Sequence, residues 1–568
     1  MYKGIAASSG IGIGNVCLIA ERELSYDAVM ISDVEAEKRR FEEALSALKK
    51  ETKETSENVR SRIGSSEAEI LEGHLLMMSD PEVTQPILDK IAEGRCAEYA
   101  TESVMDGFIR NFREMDDELM SQRAADVGDI KNGILRALLG VKEVDVGNVA
   151  PGTVLVAKEL TLSVTSRINR DNIAGIITEE GGITSHALIL ARTLEIPAVL
   201  SVKDITTIAH DKDTVIVDGS NGVVFINPDD ATYYDYIGRR EEYIRKEKLL
   251  RTFVNEKTLT ADDIECKVFS NIGSPEEIKR AVENGSEGVG LFRSEFLFME
   301  NNHMPSEDEQ YAAYKEAVSG MKGKPVIIRT MDIGGDKEIP YLNLKKESNP
   351  FLGYRGVRYS LGNRDIFKIQ LRAIMRAGDC GTVKIMIPFV TCVEELKEVK
   401  ALIKDIEKEL DNENVPYGKG IEVGCMIETP SAALIADILA AEADFFSIGT
   451  NDLIQYTMSV DRGNGDVSYL YSVLEPAVLR SIKNVIECGK KAGIPVGMCG
   501  EAASDRLLIP VLISFGLEEF SVNTSEILRT RAAIRNWTKK EADELAKKVM
   551  QLTTKEEISK ALLEAAKD

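Results

Sequence analysis

From Lys267 onward the chain repeats one pattern eight times: a short apolar run ending on polar residues, then an amphipathic stretch with helical spacing. The runs are KVFSNI from Lys267, GVGLFRSE from Gly288, PVIIRTMD from Pro325, VKIMIPFV from Val383, IEVGCMIET from Ile421, FFSIGTND from Phe445, PVGMCGE from Pro495 and EFSVN from Glu519. Runs this short and apolar read as strands buried on both faces, and eight of them alternating with helices predict a (β/α)8 barrel of the TIM type. The polar residues have a pattern too. Arg293, Arg329, Asp332, Glu428, Asn451, Asp452 and Cys499 fall at the carboxyl ends of their runs, where the following loops converge and barrels of this kind build active sites.

The rest of the 568 residues divides by texture. Ser32 to Leu139 has helical periodicity with almost no Gly or Pro inside its runs, which predicts an all-helical domain. Within it, Thr101 to Ile130 carries Glu102, Asp106, Glu114, Asp116, Asp117, Glu118, Asp126 and Asp129 against Arg110, Arg113 and Arg123. Such a stretch is either a solvated helix face or a docking surface for a small basic protein. Val146 to Pro228 changes to β-branched runs, TVLVA, IAGIIT, AVLSV, DTVIVDG and GVVFI, separated by turns, as in a compact α/β unit. Asp229 to Lys257 reads as a charged connecting helix.

A net charge of −24 disfavours nucleic acid and anionic membranes as partners, so any anionic substrate needs a locally basic pocket. The eight cysteines show no CxxC pair, which points to a reduced, cytoplasmic protein without a disulfide framework or zinc ribbon. The apolar N-terminus carries one Lys and repeated glycines, and reads as an opening strand rather than a signal peptide.

One of the four histidines stands out by context. His186 lies in EEGGITSHALILAR, where Gly181 and Gly182 lead through Thr184 and Ser185 into a helix. Glycines let backbone approach an anion, a hydroxyl caps, and the first-turn N–H groups favour negative charge. A histidine there can hold a phosphoryl group beside ready stabilisation.

The GGxTSH motif followed by a small-residue helix resembles the swivelling phosphohistidine domain of phosphoenolpyruvate-utilising enzymes. Together with GVGLFRSEFLF, RTMDIGGDK, NPFLGYRGVR, MIETPSA, IGTNDLIQYTMSVDRGN and GMCGEAA, the chain resembles Enzyme I of the bacterial sugar phosphotransferase system over nearly its whole length. The resemblance implies a multidomain α/β fold: a phosphohistidine α/β domain (1–20 and 146–228), an inserted helical bundle that binds the phosphocarrier protein HPr (21–145), a helical linker (229–258) and a TIM barrel that binds phosphoenolpyruvate and dimerises (259–568). It further implies transfer of phosphate from phosphoenolpyruvate to His186 and on to a histidine of HPr.

The implied roles agree with the chemistry of the side chains. Arg293, Arg329 and Arg462 would clamp phosphate and carboxylate, which the planar guanidinium fork matches bidentately. Glu428 and Asp452 would hold Mg2+, Asn451 would complete the substrate contacts, and Cys499 would protonate enolpyruvate. The family's usual residues are absent at Gly128, Leu162, Val164, Ile183, Val473 and Glu475, which keeps open a specialised paralogue serving a dedicated HPr-like carrier, or a degenerate regulatory module. A dikinase or synthase sharing these domains would need a nucleotide-binding domain, and the GIGIG segment lacks the GxGxxG pattern.

Overall fold

Strands β1 (Tyr2–Lys3), β2 (Ile5–Ser8) and β3 (Ile11–Ile19) open the chain. They enter one sheet with β4 (Thr153–Ala157), β5 (Ile173–Thr178), β6 (Ala198–Leu200), β7 (Thr214–Asp218) and β8 (Val223–Ile226), in the order β1-β8-β7-β3-β4-β5-β6-β2. The computed structural model describes residues 1–19, 24–62, 65–113, 118–141, 146–160, 164, 167–181, 188, 191–192, 194–299, 301–334, 337, 339–342 and 344–567, in two units, Met1–Lys246 and Glu247–Asp568.

In the first unit β3 pairs parallel with β4 from Asn15↔Thr153 to Ile19↔Ala157, so more than a hundred residues of chain are inserted between two neighbouring strands. The N-terminal glycines have a packing reason: a Cβ on Gly14 would lie 1.8 Å from the carbonyl oxygen of Gly152. The inserted chain forms α1 (Val34–Arg62), α2 (Ser65–Ser79), α3 (Pro81–Ala92), α4 (Ala97–Arg113) and α5 (Glu118–Leu139) around Phe41, Met78, Ile87, Ile91, Met105 and Ile134. Asp80 caps α3 by accepting the Glu82 N–H at 2.8 Å, with Pro81 at the first helical position where its missing N–H costs nothing. Part of the acidic stretch is used internally, Asp106 pairing with Lys131 at 2.8 Å and Glu102 accepting from Tyr26. Asp116 and Asp117 lie outside the described residues. The predicted connecting helix runs Asp230–Arg251 and buries Tyr236 against Ile13, Ile216 and Phe225.

In the second unit the eight runs become β9 (Lys267–Ile272), β10 (Val289–Arg293), β11 (Val326–Arg329), β12 (Val383–Ile387), β13 (Glu422–Ile427), β14 (Phe446–Ile448), β15 (Val496–Met498) and β16 (Glu519–Asn523). They form a closed, all-parallel barrel, sealed by β16 against β9 in register Glu519↔Lys267 to Asn523↔Asn271. Inward residues fill the lumen with Leu291, Ile327, Met386, Met426 and Phe445, and outward residues pack under the helices. Each fully buried aliphatic or aromatic side chain contributes about 1.5–3 kcal/mol, which makes the barrel a rigid platform. Among the described residues no helix is long and apolar enough to cross a membrane, and all eight cysteines are free.

Candidate active site

The strand ends place the sequence-selected residues around one mouth of the barrel. Arg293 and Arg329 are the last residues of β10 and β11, Glu428 follows β13, and Cys499 follows β15. Asn451 and Asp452 occupy the first turn of the helix Thr450–Met458 that follows β14, and Arg462 lies in the loop beyond it.

A largely buried charge network connects Arg329, Asp452 and Arg462 through Asp332, Glu295 and Arg355. The Arg329 guanidinium donates to Glu295 at 3.0 Å and stands 3.5 Å from Asp332, while its buried Nε has no partner among the described residues. Arg355, 4% exposed, grips both oxygens of Asp332 at 2.8 and 3.2 Å and also reaches Asp452 at 3.2 Å and the Tyr456 hydroxyl at 3.0 Å. Arg462, half exposed, stands 3.6 Å from Asp452. Arg293 is exposed at the mouth, and no described carboxylate lies within ion-pair distance of it.

Asp332, Glu428 and Asp452 each present an oxygen within 4.8 Å of the others, and all three are buried. The two arginines settle the charge of Asp332: against the effect of burial, Arg355 and Arg329 hold its carboxyl well below the usual range. Glu428 has no such fork. Burial first, and then the charges of Asp452 and Asp332, push it up to about 8, with Arg329 and Arg355 pulling the other way. A buried carboxylate left short of positive charge next to two others is the environment a hard divalent cation relieves, so this oxygen set fits such an ion.

Local backbone shapes the cluster. Glu428 Oε1 accepts the Phe389 N–H at 2.6 Å, and Phe389 reaches that position with φ 58°, rare for a bulky residue and costing about 1–3 kcal/mol. The Phe389 ring lies under the guanidinium groups of Arg355 and Arg358, each 4.8 Å from its centroid. Gly449 lacks a Cβ where one would sit 2.9 Å from Glu428 Oε2, so a larger residue there would crowd that oxygen.

Cys499 is buried, with its backbone N–H donating to the Ile448 carbonyl at 3.1 Å. Burial pushes its thiol up to about 11, so it stays protonated at neutral pH, as a proton donor must. Asn451 is pinned from both sides: its Oδ1 accepts the Glu501 N–H at 3.3 Å and its carbonyl accepts the Tyr471 hydroxyl at 3.1 Å.

His186 lies outside the described residues, as do Leu162 and Ile183. The approach to His186 is described: Gly181 has φ 115° and its carbonyl accepts from Ser201 at 2.6 Å, and Glu179 accepts the Thr206 N–H at 3.1 Å. Three other departures have local structural roles. Val164 and Val473 pack against cores, and Glu475 precedes the helix Pro476–Ala492 and pairs with Lys555 at 3.3 Å. Gly128 lies in α5 with open space around it, and nothing in the structure explains the choice of glycine. Arg355, Glu295 and Phe389 belong to the site without having been singled out; Arg355 was visible only as part of the NPFLGYRGVR motif.

Residues 3–123, 149–222 and 247–539 match the family models of the N-terminal domain, mobile domain and phosphoenolpyruvate-binding domain of PEP-utilising enzymes. The phosphoenolpyruvate-protein phosphotransferase of Priestia megaterium is 44% identical over 557 residues, 98% of this chain and 97% of that protein. This chain belongs to the phosphoenolpyruvate-protein phosphotransferase family. The Bacillus subtilis phosphoenolpyruvate-protein phosphotransferase matches at 44% identity over 98% of both chains. A solution structure titled Enzyme I (nEIt) shares 36% identity over 43% of this chain and 99% of its own, with a TM-score of 0.39. In phosphoenolpyruvate-protein phosphotransferase terms, the phosphoenolpyruvate-binding match spans every strand of the barrel and the whole charge network described above.

Proposed function

We propose that this chain moves the phosphoryl group of phosphoenolpyruvate onto His186 and then to a histidine of HPr, the first step of phosphotransferase-system sugar uptake. The observation that carries the reading is Arg329: a buried guanidinium with an unpartnered Nε, set between a cluster of three carboxylates and a protonated thiol at the barrel mouth. An anion satisfies the orphan donor, and a substrate that is both phosphate and carboxylate uses Arg293, Arg329 and Arg462 together. Asn451 orients the substrate from the helix N-terminus.

An imidazole nitrogen of His186 attacks phosphorus, the bond from phosphorus to the enol oxygen breaks, and enolpyruvate leaves. Cys499 then delivers its thiol proton to C3, giving pyruvate, and recovers a proton from solvent. The cation is proposed to be Mg2+, held by Glu428 and Asp452, with Asp332 retained by its arginines. When bound it supplies positive charge against the phosphoryl and enol oxygens.

The assignment of residues 1–20 with 146–228 as phosphohistidine domain, 21–145 as HPr-binding domain, 229–258 as linker and 259–568 as substrate-binding and dimerising barrel is part of the same reading. So is a cytoplasmic homodimer, the commonest closed assembly being two-fold. The acidic Thr101–Ile130 stretch would speed encounter with a carrier that is basic around its histidine.

Incubation with labelled phosphoenolpyruvate and Mg2+ is expected to leave an acid-labile, base-stable phosphohistidine that is chased by HPr and absent from His186→Ala. Label persisting in His186→Ala, or requiring ATP, would overturn the reading.

A further inference from the structure

The barrel seam holds a polar side chain that no part of the proposed chemistry uses. Asn271, on the first strand β9 and 7% exposed, donates through Nδ2 to the carbonyl of Cys499 at 2.9 Å and to that of Ser521 at 3.2 Å. Its Oδ1 accepts the Ser521 hydroxyl at 2.7 Å. The amide has one sensible orientation, because a flip would set Oδ1 against two carbonyl oxygens that have no proton to donate, and would leave the Ser521 hydroxyl without its acceptor. Ser521, fully buried on β16, therefore orients Asn271, and Asn271 holds Cys499.

The hold acts where the sheet no longer does. The ladder between β15 and β16 pairs Gly497↔Glu519 and Met498↔Phe520 and ends there, so Cys499 lies one residue past it. Its peptide is tied at both ends: the N–H to Ile448 on β14, and the carbonyl across β16 to Asn271 on β9. With the backbone tied, a cysteine retains one side-chain torsion, and the Leu291, Ile327, Met386 and Met426 side chains packed with it limit that.

We infer that Asn271 is a positioning residue for proton delivery, fixing the Cys499 thiol over one face of enolpyruvate, with Ser521 as its orienting partner. The inference rests on Cys499 being the proton donor. It follows from the tolerance of proton transfer, which requires donor and acceptor within hydrogen-bond reach and loses up to about a hundredfold in rate for an ångström of misplacement. Phosphoryl transfer uses none of the atoms that Asn271 touches, so the two half-steps separate.

The test uses the full-length protein with Mg2+ and HPr and two variants, Asn271→Ala and Ser521→Ala. Three quantities are read: phosphoenolpyruvate KM, kcat for pyruvate formation, and the chirality of the methyl group formed when stereospecifically labelled phosphoenolpyruvate turns over in isotopic water. Asn271→Ala is expected to lower kcat by about ten- to a hundredfold, keep KM within about twofold, and scramble the methyl group. Ser521→Ala should move the same quantities less, and decides the matter alone if Asn271→Ala does not fold. Protonation that stays on one face in a folded variant, or a parallel loss of substrate binding and melting temperature with facial selectivity intact, overturns the inference and leaves Asn271 as a seam residue. Cys499→Ala separates the layers: if it too protonates one face at normal rate, the donor assignment fails, whereas scrambling in Cys499→Ala alone sinks only the role of Asn271.

Discussion

Arg355 offers the sharpest perturbation of the charge network. Replacing it by Met keeps most of the side-chain length and removes the cation that bridges Asp332 and Asp452. With carboxylate oxygens within 4.8 Å, each ionised pair repels by about 3.5 kcal/mol at an effective dielectric of about 20. Removing one member of a buried ion pair costs about 3–5 kcal/mol, mostly from the charge left behind. The barrel of Arg355→Met is therefore expected to melt lower, and a divalent cation should recover more of the loss than it adds to the wild type. Ligand affinities should move in opposite directions. If the cation regains as little as about 1.4 kcal/mol of the unscreened repulsion, it binds about tenfold tighter, while the phosphoenolpyruvate anion binds more weakly. Calorimetry with and without Mg2+, Mn2+ titration by electron paramagnetic resonance and phosphoenolpyruvate titration check the three shifts. A folded variant in which Mn2+ and phosphoenolpyruvate weaken in parallel, or whose melting temperature is unchanged, would refute this electrostatic argument.

Two further predictions concern the barrel away from its mouth. Burial pushes Glu519, beside Lys267 and Lys384, up from 4.5 to about 7. A raised carboxyl is neutral in both states below the unfolded value and is increasingly penalised in the folded state as pH rises through the folded one, so Glu519→Gln should match the wild type below pH 4.5 and gain up to about 3 kcal/mol above pH 7. Denaturant unfolding at both ends of that window checks it, and an equal gain at both excludes it. Arg531, with no exposed surface, donates to the Phe253, Val254 and Gly285 carbonyls and the Thr258 hydroxyl. Arg531→Met should cost the barrel about 3–5 kcal/mol, and Arg531→Lys should recover less than half, since one ammonium cannot span that fork; full recovery in the lysine variant would contradict it.

The eight barrel strands could be read from the chain because their signal is local. Buried parallel strands are short apolar runs, and each observed strand lies within one of the runs identified from the sequence. The polar residues at their ends were legible for the same reason, since carboxyl-end position is a property of the run itself. His186 is singled out in the chain by its glycines and hydroxyls, and it lies outside the described residues.

What the chain order could not supply is which of these residues meet. Asn271 and Cys499 are 228 positions apart, and Arg355 and Asp452 are 97 apart. Their contacts exist only because closure of the barrel brings β9 beside β16 and the loops to one rim. Charge state followed the same division. The sequence by itself determined that Glu428, Asp332 and Asp452 are carboxylates at strand ends; only the tertiary structure decided that Arg355 and Arg329 keep Asp332 ionised while burial beside the others pushes Glu428 up, because desolvation and Coulomb energy depend on distance in space and not along the chain.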